Sequence, residues 1–161
     1  MRQQPKEGDT VTEPDHRYWM NRAIELARLC PVAAGAFSVG AVIVADGVEI
    51  ATGYSRESDP KEHAEEAALG KLDPADPRLA RATLYSTLEP CSERGTKDRL
   101  PCTDRVLRAG IPMVVIAWRE PSTFVVNCVG VERLRQAGVT VVELPDLAEA
   151  AMSMNRHLDL S

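Results

Sequence analysis

Val39-Gly-Ala-Val-Ile-Val-Ala-Asp-Gly-Val-Glu-Ile-Ala-Thr-Gly-Tyr54 carries two strand-like runs around one turn signal. Val39 to Ala45 is a β-branched run, and Val48 to Tyr54 resumes the pattern. Asp46-Gly47 between them suits a tight hairpin, whose central residues need positive φ angles. Upstream, His16 to Cys30 predicts a helix, with Trp19, Ala23, Leu26, Ala27 and Cys30 on one stripe. Pro31 and Gly35 end it.

Downstream, Asp59-Pro60-Lys61-Glu62 has the form of a helix start, with Asp59 as cap and Glu62 completing a capping box. That helix is expected to run to about Leu72. Asp73 to Arg78 is a Pro- and Asp-rich loop. Ala82 to Leu88 reads as a strand, and Ser92 to Pro101 as a polar loop. Cys102 to Ala109 is a short helix stopped by Gly110 and Pro112. Met113 to Trp118 is a continuous apolar strand, the pattern of burial on both faces. Val129 to Ala137 is helical, Val139 to Leu144 is a strand, and Pro145 to His157 is a closing helix. This order predicts an α/β fold, a mixed five-stranded sheet covered by helices on both faces. The last two strands, joined through a helix, should be parallel by a right-handed crossover.

The 161 residues suit one domain with a substantial core. Apolar residues make up 44% and charged residues 27%, a soluble globular balance. A net charge of -5 and an aromatic content of 4% argue against a nucleic-acid backbone or stacked bases as partner. No apolar run reaches the roughly 20 residues that span a bilayer. Met1 to Pro14 is polar and lacks the apolar segment of a signal peptide. Residues 1–14 are therefore expected to be a disordered lead-in and 15–161 the working domain, in the cytoplasm. Four cysteines in such a chain point to metal or packing roles rather than disulfides.

His63-Ala-Glu65 stands in the first turns of a helix, Pro90-Cys91 just after a strand, and Pro101-Cys102 just before a helix. Residues two apart diverge on a helix, so His63 can bind a metal while Glu65 reaches a water beside it. Free N–H groups at loop-to-helix junctions lower a thiol's pKa and favour the thiolate that zinc takes. A His, Cys, Cys set leaves one zinc position open, the mark of a catalytic rather than a structural site. Bound zinc lowers the pKa of water to about 7. Glu65, which is not a ligand, would carry protons to a ring nitrogen and to departing ammonia. The pattern H-x-E with P-C-x-x-C marks zinc deaminases. Here ten residues lie between the cysteines instead of two. Taken singly, His63 reads as a solvated helix residue, Cys91 and Cys102 as packed thiols, and Glu65 as a surface acid. Their joint occurrence favours the metal. Cys30 and Cys128 read as structural, and His16 and His157, near the ends, as surface residues.

These residues resemble the deaminase domain of bacterial riboflavin-biosynthesis proteins, in the cytidine deaminase-like superfamily. The resemblance spans roughly Tyr18 to Leu158. It is carried by Val39-Gly-Ala-Val-Ile-Val44, His63-Ala-Glu65, Thr87-Leu-Glu-Pro-Cys-Ser92 and Pro101-Cys-Thr-Asp104. Gly130-Val-Glu-Arg-Leu-Arg-Gln-Ala-Gly138 and Met154-Asn-Arg156 extend it. It implies a three-layer α/β/α sandwich, with zinc held by His63, Cys91 and Cys102 and with Glu65 as acid and base. It implies removal of an exocyclic amine from a small aminopyrimidine, and a homo-oligomer, dimer or tetramer. Ser38, Ala64, Glu89 and Ser92 are expected at the substrate. Arg94, Lys97, Arg99 and Arg119 are cationic side chains near the mouth, able to hold a phosphate or to form a solvated charged face.

Three stretches depart from the family. Gly35-Ala-Phe-Ser38 replaces a usual Pro-Asn-Pro, whose Asn helps hold the substrate ring. Glu120-Pro-Ser-Thr123 replaces Asp-Pro-Asn-Pro, and the loop between the cysteines is about two residues longer. The substrate is thus a phosphoribosylaminopyrimidine, a related nucleotide or nucleobase, or another amino-heterocycle. The alternative from a different class is a catalytically silent, zinc-stabilised binding module.

Overall fold

Asp46 and Gly47 have φ angles of 54° and 75°, the paired positive values of a type I′ turn. They join β1 (Gly40–Ala45) to β2 (Val48–Tyr54), which pair antiparallel. The structure, a computed structural model, describes residues 13–92, 94, 99–119 and 129–158. On its other side β1 pairs antiparallel with β3 (Ala82–Leu88). Next come β4 (Met113–Trp118), parallel to β3, and β5 (Thr140–Glu143), parallel to β4. The sheet runs β2-β1-β3-β4-β5, five mixed strands as expected.

Alternate residues of each strand serve opposite faces. On one face Val42, Val44, Tyr85 and Val115 meet Met20, Ala23 and Ile24 of α1 (Glu13–Ala27) and Ala151 of α5 (Ala148–Met152). On the other, Ala41, Ile43, Leu84, Val114 and Ile116 meet three helices. These are α2 (Ala64–Leu69), α3 (Cys102–Ala109) and α4 (Gly130–Gln136). Burying each large aliphatic side chain contributes roughly 1.5–3 kcal/mol over leaving it exposed. Among the described residues no helix is long and apolar enough to cross a membrane.

Gly53 sets the position of α2. A Cβ there would stand 2.3 Å from the Ala64 carbonyl oxygen and 2.5 Å from the Ala68 nitrogen. Gly53→Ala must therefore push α2 away from β2. Such overpacking costs about 1–3 kcal/mol, seen as a lowered urea midpoint. An unchanged midpoint would contradict so close an approach.

Several boundaries differ from the sequence reading. α1 begins at Glu13, two residues inside the expected lead-in, and ends at Ala27. Cys30 therefore leaves the helical stripe and lies half-buried in the turn beyond, its thiol against the Val39 carbonyl. His16 is not a surface residue: it is buried and hydrogen-bonded through Nδ1 to the Tyr85 hydroxyl at 2.8 Å. Asp59 does not cap a helix. It accepts from the Lys61 N–H, while Glu62 folds back to accept from Ser58, so the expected capping box is not made. The helix starts at Ala64 instead. A tight 3-10 turn over Pro77–Arg81 follows the expected loop, with Asp76 accepting from the Arg78 N–H. The closing helix is three pieces, a short turn (Pro145–Leu147), α5, and a second turn (Ser153–Asn155). Residues 1–12, Lys97, Cys128 and the stretch Glu120 to Thr123 lie outside the described residues.

Candidate active site

His63 immediately precedes α2, with an extended backbone at φ -89° and ψ 159°. Its N–H donates to Oε1 of Glu66 at 3.1 Å. Glu65 and Glu66 occupy the first turn, where the helix's partial positive charge favours carboxylates. Glu65 is only 4% exposed, and Oε1 lies 2.6 Å from the Ser86 hydroxyl on β3. Ser86 shares strand parity with Leu84 and Leu88, which pack on the α2 side of the sheet. The sheet thus presents a hydroxyl to the one buried acid of α2.

The two cysteines meet despite the long loop between them. The Cys102 N–H donates to Sγ of Cys91 at 3.2 Å, and the Thr103 N–H to the Cys91 carbonyl at 3.0 Å. The Thr103 hydroxyl reaches the Pro90 carbonyl at 3.2 Å. Pro101 precedes the first helical residue, so the start of α3 spends its free N–H groups on the Cys91 segment. These bonds do the work that a two-residue spacer does elsewhere, and the loop length becomes immaterial to the pair. Gly130 helps in the same way. A Cβ there would lie 2.1 Å from the Pro90 carbonyl oxygen, so α4 can start against this segment only with glycine.

Nδ1 of His63 lies 3.5 Å from Sγ of Cys91 and 3.4 Å from Sγ of Cys102. All three donor atoms fall within 4.8 Å of one another. Among the described residues this is the only group of His, Cys, Asp or Glu placed to hold a metal. Around a tetrahedral zinc, a sulfur at ~2.3 Å and a nitrogen at ~2.05 Å stand about 3.6 Å apart. The donor set and its spacing therefore fit zinc with three protein ligands. Cys91 is held down to about 4, first by the hydrogen bond from the Cys102 thiol and then by His63. The Cys102 thiol is pushed well up by donating to Cys91 and by complete burial. Burial works to lower His63, but its hydrogen bond to Cys91 and the Cys91 charge leave it raised.

The residues expected at the substrate are distributed more widely. Ser38 is buried; its N–H donates to Oδ1 of Asn155 at 2.6 Å and its hydroxyl accepts from Arg56 at 3.0 Å. Ala64 is buried at the start of α2. Glu89 and Ser92 turn to α4: Glu89 accepts from the Val131 N–H at 2.9 Å and Ser92 from the Val129 N–H at 3.1 Å. The three described arginines of the expected phosphate set already have carboxylate partners. Arg94 bonds to Glu66, Arg99 to Asp59 and Glu66, and Arg119 to Glu132 and Glu143. Sequence reasoning missed Ser86, Glu66, Arg56 and Asn155. Only Glu66 carried a signal, as the acid three residues after His63 at a helix start.

Residues 13–118 match the family described as the cytidine and deoxycytidylate deaminase zinc-binding region. The chain belongs to this family. Within it, the chain is similar to diaminohydroxyphosphoribosylamino-pyrimidine deaminase of Schizosaccharomyces pombe, 42% identical over 132 residues, covering 80% of this chain and 32% of the relative. It is 39% identical over 131 residues to riboflavin biosynthesis protein RibD of Escherichia coli, covering 77% and 32%. The chain thus spans about a third of the length of these curated relatives. Among solved structures, Acinetobacter baumannii RibD superposes with a TM-score of 0.75 at 32% identity, covering 89% of this chain and 38% of that one. Aspergillus oryzae Rib2 deaminase in complex with DARIPP superposes with 0.73 at 25% identity, covering 87% and 89%. The α/β/α fold and the resemblance to riboflavin-biosynthesis deaminases are borne out.

Proposed function

We propose that this chain is a zinc-dependent hydrolytic deaminase that removes an exocyclic amine from a small aminopyrimidine. The observation that carries the reading is Glu65, a buried carboxylate that is not a ligand yet is set beside the His63, Cys91 and Cys102 cluster. A purely structural zinc site has no use for it. His63, Cys91 and Cys102 would hold the zinc, which would supply Lewis-acid activation of a water when bound. Water's oxygen would end on the ring carbon as the carbonyl and the carbon–nitrogen bond would break, with Glu65 passing one water proton to the ring nitrogen and the other to the amine that leaves as ammonia. The named activities of the relatives and the DARIPP in the Aspergillus oryzae complex support a phosphoribosylaminopyrimidine as substrate. The proposed contacts are Ser38, the Ala64 backbone, Lys97 and Ser92. The working unit is the domain expected over residues 15–161, acting in the cytoplasm as a homo-oligomer.

Ser86 completes the proton chemistry. Its single hydroxyl proton faces two acceptors, Oε1 of Glu65 at 2.6 Å and the Leu88 carbonyl at 2.7 Å. When Glu65 is ionised, Ser86 donates to it. When Glu65 holds a proton, that proton is given to the Ser86 oxygen and the Ser86 proton turns to Leu88. The carboxyl is thus held in place in both states. Ser86→Ala should lower kcat roughly tenfold to a hundredfold with little change in KM. That range follows from the roughly 1.5–3 kcal/mol of a hydrogen bond to a charged group.

The direct test is ammonia release from the zinc-loaded protein on a phosphoribosylaminopyrimidine, its dephosphorylated form, the free base and unrelated amino-heterocycles. Turnover of the first supports the reading in full. Turnover of another heterocycle alone keeps the chemistry and replaces the substrate. Silence across the panel, with zinc bound, would turn the chain into a binding module.

A further inference from the structure

Each of the three metal-site residues has a member of one ion cluster three positions away. Glu66 follows His63 by three. Arg94 follows Cys91 by three, while Arg99 precedes and Arg105 follows Cys102 by three. The structure closes the three arginines onto the Glu66 carboxylate. Oε1 of Glu66 accepts from the His63 N–H at 3.1 Å and from Arg94 at 3.1 Å. Oε2 accepts from Arg105 at 3.0 Å, and Arg99 reaches both oxygens at 3.3 and 3.4 Å. The cluster is sheltered: the Arg94 side chain is 4% exposed, Glu66 15%, Arg99 21% and Arg105 27%. Arg94 also donates to the Lys61 carbonyl at 2.6 Å, and Arg99 to Asp59 at 2.5 Å. Both acceptors lie on the segment leading into His63.

We propose that Glu66 is a positioning residue that clasps the long loop between the cysteines to the histidine helix and thereby retains the metal. Three guanidiniums share one carboxylate, and among the described residues Asp59 is the only other acid bonded to them. Without Glu66 the cations repel one another across the site, and the segments carrying Cys91, Cys102 and His63 lose their common anchor. Partial burial keeps solvent and salt from screening that repulsion. The N–H of His63 loses its acceptor in the same change. Glu66 touches no donor atom of the metal site, so its influence is on how long the three stay assembled. This rests on the zinc reading of the site and goes beyond it.

The test measures zinc transfer from the full-length, zinc-loaded protein to an excess of a chromogenic chelator. Glu66→Gln keeps the shape and removes the charge, and it should release zinc about tenfold to a hundredfold faster, the range for groups that orient ligands. Arg105→Met leaves two arginines on Glu66 and should speed release by a smaller factor. In Glu66→Gln with Arg105→Met, removing one repelled cation should bring release back toward the wild-type rate rather than add the two effects. Arg81→Gln, which breaks an exposed pair with Asp46 remote from the site, serves as control and should release zinc at the wild-type rate. Wild-type release from a folded Glu66→Gln, or simple addition in the double variant, overturns the clasp alone. Should Glu66→Gln fail to fold, Arg105→Met and Arg99→Met decide: release at the wild-type rate in both overturns it. A wild-type protein that takes up no zinc overturns the metal reading and the clasp together.

Discussion

Glu65→Gln should lower kcat by about 10²–10⁴, the usual contribution of a positioned acid–base group, while the protein keeps one zinc per chain. The substitution is nearly isosteric, and the side-chain amide oxygen can still accept from Ser86. What is lost is the capacity to take a proton and return it. Glu65 is buried and bonded to Ser86, so bulk water is poorly placed to replace it. KM should move far less than kcat, because the lost interaction belongs to the transition state. Steady-state ammonia release, with zinc content measured on the same samples, separates the two effects. Activity within a few-fold of wild type in Glu65→Gln would mean that another group moves the proton. Loss of zinc along with activity would assign Glu65 to the metal rather than to the reaction.

The strands were legible because buried strands advertise themselves. Met113–Trp118 and Ala82–Leu88 are continuous apolar or β-branched runs, and the structure bounds them at the same residues. The start of α3 was legible from Pro101 and its end from Gly110, which adopts φ 75°. The gathering of His63, Cys91 and Cys102 into one cluster was legible from residue type, since thiol and imidazole donors in that order have few other uses. Long-range hydrogen bonds were not legible. Asp59 and Glu62 spell a capping box, but Arg99, 40 residues on, draws the Asp59 carboxylate away and Ser58 takes Glu62. Asn155 interrupts the closing helix because its amide is spent on both backbone groups of Ser38. His16 looked terminal only along the chain, and Tyr85 makes it part of a core. The pairing of the loop arginines was not legible, because the carboxylate they share is distant from them in sequence. Their partner, Glu66, comes from the histidine helix.

Acid should strip the metal from this site, and in two stages. Zinc displaces every proton that the metal-free donors hold, so affinity falls as those donors protonate. Cys91, held down to about 4, is already a thiolate at neutral pH and contributes no proton there. Cys102, pushed well up, holds its proton throughout the neutral range. Binding then releases one proton, and the apparent Kd should rise about tenfold for each pH unit of acidification. Below the raised pKa of His63 a second proton must leave, and the dependence should steepen to about a hundredfold per unit. The sign is the same in both stages: lower pH favours the protonated, metal-free site. Stability follows by linkage, since a ligand at about 1,000 times its Kd contributes roughly 4 kcal/mol to the folded state. Chelation at neutral pH should therefore lower Tm by several degrees, and the same chelator should act at lower concentration as pH falls. Competition titrations against a chelator of known pH dependence give both slopes. A flat profile through the neutral range would show that Cys102 is already a thiolate without metal. The hydrogen bond from Cys102 to Cys91 would then have no proton to make it.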